Sequence, residues 1–81
     1  MKSLGPYIEK AKQELAVRTL RDVQIETSLT WAGRAVVAAS MRKMSDAHEY
    51  AHEALEHAAL SGSDTLLRYV RGAFEVAHIE L

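Results

Sequence analysis

Between Trp31 and Ala59 the chain spaces small residues so that two helices can meet along them. Ala35, Ala38 and Ala39 stand on the first helix; Ala47, Ala51, Ala54 and Ala58 stand on the second. A buried alanine contributes little transfer energy, on the order of 0.8 kcal/mol per methylene-sized group. What it provides is close approach, because small contact residues bring helix axes toward the short end of the roughly 8–10 Å range. Such a ladder restricts the fold to helices packed face on face, and it carries no chemistry of its own.

The pattern is helical elsewhere too. Pro6, the only proline, suits a first helical turn. Ile8, Ala11, Leu15 and Thr19 then form one stripe, with Leu20 and Val23 beside it. Residues 19–30 hold neither Gly nor Pro, only the weak caps Thr27, Ser28 and Thr30, so residues 6–43 read as one helix or two. One helix of that length is improbable in so small a chain, which favours a break near residues 26–28. Leu29, Ala32, Val36 and Ala39 mark the next helical face, and Gly33 within it costs up to about 1 kcal/mol relative to Ala. A second backbone passing close by would be a reason for that glycine.

Ser45-Asp46 reads as a helix start, with Ser as cap and Glu49 near the capping-box position. Beyond it Tyr50, Leu55 and the alanines take one side; His48, Glu49, His52, Glu53 and Glu56 take the other. Ser61-Gly62-Ser63-Asp64 ends that helix and caps the next. The last helix has two apolar faces. Leu66, Leu67, Val70, Ala73, Phe74, Ala77 and Leu81 form one; Tyr69, Gly72, Val76 and Ile79 form the other. A helix apolar on two sides is either central in its fold or covered by another chain.

With 81 residues the expectation is one domain, residues 1–81, of a size that buries only about 60% of its unfolded surface. Cysteine is absent, so there is no disulfide, thiolate metal site or thiol nucleophile. Residues 1–6 lack an apolar core suited to a leader, and no apolar run approaches the ~20 residues of a membrane span, so the cytoplasm is the expected compartment. A net charge of -1 argues against general nucleic-acid binding. The charge is uneven: Lys2, Lys10, Lys12, Arg18 and Arg21 outnumber Glu9 and Glu14, whereas Asp46, Glu49, Glu53 and Glu56 stand without Lys or Arg. The plain reading is two solvated helix faces; a basic docking face is the functional one.

Taking Trp31 as anchor, the positions Trp31, Ala35, Ala47, Ala51 and Ala54, with a turn at Arg42–Ser45, resemble a single tetratricopeptide repeat over residues 28–61. Departures are Arg34-Ala35 in place of Leu-Gly, Ala38 in place of an aromatic residue, and Ala59 in place of the terminal proline. The resemblance implies a helical hairpin that binds peptides or partner helices, as small secretion chaperones and adaptor subunits do.

One motif carries possible chemistry. His48-Glu49-Tyr50-Ala51-His52 fits the H-E-x-x-H pattern, in which two His four apart share a helix face and reach one Zn²⁺. Glu56, one turn on, stands as a third ligand and Glu49 as a base. The chain is small for a substrate cleft, and the motif lies on the polar side of its helix, so a solvated His/Glu face is the favoured reading. The i, i+3 pairs Glu49/His52 and Glu75/His78 have di-iron spacing but lack further inward carboxylates. The serines sit in cap, turn or mid-helix contexts and the four glycines are scattered, which gives no support for a hydrolytic triad or a phosphate loop.

The expectations are therefore an all-α fold, a compact bundle or hairpin array of three to four antiparallel helices near residues 6–25, 28–43, 46–60 and 64–80. The expected function is a protein–protein interaction module, an adaptor or small chaperone-like subunit. It would bind a partner helix or peptide, or a second copy in a homo-oligomer, through Trp31, Tyr69, Val76 and Ile79. No enzymatic activity, cofactor, nucleic acid or membrane span is expected. The alternative is a metal-binding helical protein using His48, His52 and Glu56.

Overall fold

The chain forms three helices and no strand over the residues that the computed structural model describes, the backbone from Gly5 to Leu81 and the side chains from Tyr7 on. The leader reading of Met1–Leu4, the charge of Lys2 and the context of Ser3 lie outside the described residues. Helix α1 spans Gly5–Ser40, α2 spans Met44–Ser61 and α3 spans Asp64–Val76.

The expected break near residues 26–28 does not occur: α1 is one helix of 36 residues, about 54 Å long at 1.5 Å per residue. Two hydroxyls of the Ser/Thr cluster find partners without leaving helical geometry. Ser28 Oγ donates across the hairpin to the Ala54 carbonyl at 2.7 Å, and Thr30 Oγ1 donates back to the Glu26 carbonyl at 3.0 Å. Side chains that bond in this way do not compete with the helix as caps.

Helix α2 folds back along the second half of α1, and the alanine ladder is the contact. Ala35, Ala47, Ala51, Ala54 and Ala58 are fully buried, with Ala32 and Ala38 nearly so. Beside the ladder, Trp31 and Tyr50 pack with ring centroids 5.6 Å apart, and the Arg34 guanidinium lies 4.9 Å from the indole centre. Gln24 Oε1 accepts from His57 Nδ1 near the far end of the hairpin.

The turn between α1 and α2 is closed by two backbone bonds. The Lys43 amide donates to Ala38 at 2.9 Å and the Arg42 amide to Ala39 at 3.0 Å, with Arg42 in the left-handed region at φ 60°. Lys43 then caps α2, so the helix starts two residues before the expected Asp46, and Ser45 lies inside its first turn without a capping bond. At the other end Gly62, at φ 72°, takes the left-handed position that glycine adopts without strain. Ser63 caps α3 as the spacing predicts, its Oγ accepting from the Leu66 amide at 3.2 Å.

Helix α3 stops at Val76 rather than near residue 80. The Ile79 amide reaches back to the Phe74 carbonyl at 2.8 Å and His78 takes φ 59°, which turns Ile79 under the helix end against the core. A hydrophobic contact between the third residue from the end and the second beyond it commonly accompanies this termination. Leu66, Val70 and Phe74 are buried, so the first apolar face of α3 closes the core.

Only the hairpin half of α1 is covered. Residues 5–16 extend past the end of α2 by about 18 Å. The molecule is accordingly long and thin, 66 × 17 × 13 Å, the hairpin-array form of the expected bundle or hairpin array.

Candidate apolar groove between α1 and α3

Where α3 crosses α1, the two helices leave a groove open to solvent. Leu29, Ala32, Gly33 and Val36 supply one wall; Tyr69, Gly72, Ala73 and Val76 supply the other. The end nearer Val76 encloses about 590 Å³ and is lined by carbon, with Arg68 the one charged side chain. Val76 is 81% exposed and Tyr69 67%. Placing apolar side chains of this size in water is unfavourable, at roughly 25 cal/mol per Å² of apolar surface.

The four expected binding residues separate in the structure. Tyr69 and Val76 line the groove together. Ile79, at 5% exposure, belongs to the core, because the chain turns inward after Val76. Trp31 is half-buried against Tyr50 and lies five residues from Val36, about 140° around α1, so it anchors the hairpin and does not reach the groove. Leu29 and Val36 read from the sequence as part of a face packed inside the fold, yet they form the groove's wall. The close backbone that would have been a reason for Gly33 is not found within this chain: a Cβ built there meets nothing within 4 Å.

The unpaired half of α1 carries further exposed apolar residues. Ile8, Ala11 and Leu15 are exposed along the same angular range of α1 as Leu29, Gly33 and Val36, with Tyr7 at its edge. The apolar stripe read on the first helix therefore faces solvent.

The H-E-x-x-H stretch is dispersed by burial. His48 is half-buried, with its Nε2 enclosed and without a hydrogen-bond partner, whereas His52 and Glu56 are exposed. No group of three or more His, Asp or Glu side chains comes together to hold a metal ion among the described residues. His57 engages Glu53 at 3.9 Å as well as Gln24, so this imidazole is used within the hairpin. A second hollow, about 620 Å³, opens beside the α1–α2 turn, where Val37, Ala38, Met41 and Tyr50 line it together with the charged Arg34, Lys43 and Asp46. Among the described residues no helix is long and apolar enough to cross a membrane.

No family model, curated protein or solved structure matches the chain.

Proposed function

We propose that this protein is an interaction module that works by burying its exposed apolar helical surface against another polypeptide. The observation that carries the reading is the open groove of Leu29, Val36, Tyr69 and Val76, continued along α1 by exposed Ile8 and Leu15. A monomer gains nothing from exposing such a surface, whereas a helix laid into it buries both faces. The tetratricopeptide likeness of residues 28–61 fits this reading, since that repeat presents helical faces to partners. A cytoplasmic adaptor or chaperone-like subunit without chemistry of its own accords with the lack of cysteine and with a net charge of -1.

Val76→Glu tests the reading. The charge enters the groove at a site that is not part of the core, so helix content by circular dichroism is expected to stay unchanged. Association of the immobilised chain, with itself or with another protein, is expected to weaken at least about tenfold, the change produced by about 1.4 kcal/mol. Equal association by Val76→Glu and the unaltered chain removes the groove from consideration.

A further inference from the structure

We propose that the surface binds a second copy of this chain, with the two α1 helices antiparallel and a twofold axis passing beside Asp22. The inference rests on the interaction-module reading and supplies its partner.

A twofold interface requires one surface to be complementary to itself, with residue i meeting j and j meeting i. The exposed face of α1 has that property. Outward from Asp22 it reads Arg18, Leu15, Ala11 and Ile8 in one direction, and Glu26, Leu29, Gly33 and Val36 in the other. All lie within an arc of about 80°. Steps of three and four residues are common to any helical face, so the spacing alone decides nothing. The chemistry does: large apolar residues pair with large, small with small, and cation with anion. Leu15 meets Leu29, Ile8 meets Val36, Ala11 meets Gly33, and Arg18 meets Glu26, each twice.

Three further observations agree. The open space around Gly33 is filled by the backbone at the partner copy's Ala11, the small-on-small contact that permits close helix approach. Charge on the face itself selects the antiparallel sense: Arg18 of each copy faces Glu26 of the other. A parallel pair would place like beside like. Finally, the chain exposes 6316 Å², against about 4,900 Å² for a compact protein of its 9.0 kDa mass. The excess, about 1,400 Å², exceeds the roughly 800 Å² that each partner buries in a standard stable interface. Asp22 facing its own copy is the one like-charged pair, and Asp22→Leu is expected to tighten the dimer.

The absence of native cysteine allows the geometry to be read by single substitutions. Light scattering after size exclusion is expected to give twice the chain mass. Under mild oxidation Asp22→Cys is expected to link to itself. Leu15→Cys and Leu29→Cys are expected to link when mixed and re-equilibrated, and neither alone. Arg18→Glu is expected to weaken dimerisation about tenfold, and the exchange Arg18→Glu with Glu26→Arg to restore it. A monomeric mass overturns the inference, as does Leu15→Cys linking to itself, which marks a parallel pair. A monomer that still binds a different protein in a manner sensitive to Val76→Glu overturns the second copy alone; a monomer that binds nothing overturns the interaction reading as well.

Discussion

Arg42 and His78 occupy left-handed backbone positions that glycine takes at Gly62. For an L-residue that conformation costs roughly 1–2 kcal/mol, and glycine's greater freedom when unfolded returns part of it. Arg42 is exposed, so Arg42→Gly is expected to stabilise the chain by about 0.5–1 kcal/mol, measured as a rise in urea midpoint at unchanged slope. Ser28 has the opposite balance. Its buried hydroxyl ties α1 to the Ala54 carbonyl, and Ser28→Ala is expected to cost about 1 kcal/mol in the same titration. The hydroxyl's residue type was visible in the sequence; that its partner lies 26 residues away on another helix was not.

At the level of elements, the alanine ladder sets how closely α1 and α2 pack. Every member from Ala47 to Ala58 is fully buried, which leaves no room for a larger side chain. Ala51→Leu is expected to destabilise the hairpin by about 1–3 kcal/mol through overpacking, read as a fall in thermal midpoint with Trp31 fluorescence reporting the same transition. Helix α1 shows the limit of local reasoning. Its continuity through residues 26–30 goes with the hydroxyl bonds there and with the packing of the second half against α2; the local sequence allowed one helix or two, and only the small size of the chain favoured a break. The reverse holds at α3, where neither Gly nor Pro marks the end, and burial of Ile79 against Phe74 decides it.

At the level of the molecule, only the second half of the 36-residue α1 is covered by the rest of the chain. Isolated helices of the length of the arm are marginal in water, so the arm gains most of its stability from whatever packs on it. In a dimer folding and association are linked, and the thermal midpoint rises with concentration. A rise of about 3–5 °C per tenfold increase in protein is expected, and a midpoint independent of concentration marks a monomer. Variants that block pairing, such as Leu15→Glu, are expected to abolish that dependence while leaving the hairpin folded.

The all-α class, the hairpin contact and the caps at Gly62 and Ser63 were determined by the sequence itself, because each follows from residue size or from hydrogen bonding within a turn. Tyr69 and Val76 were legible as surplus apolar residues for the same reason: α3 has more apolar surface than one core face can hide. Which of the two candidate apolar stripes would be buried was decided only in three dimensions. Periodicity assigns residues to a face and says nothing about what lies opposite it. The structure turned Ile79 inward, set Trp31 against Tyr50, separated His48 from His52 by burial, and left the Ile8–Val36 face of α1 open. Those outcomes depend on which elements pack against which, through the turn at Arg42, the turn at Gly62 and the inward bend after Val76.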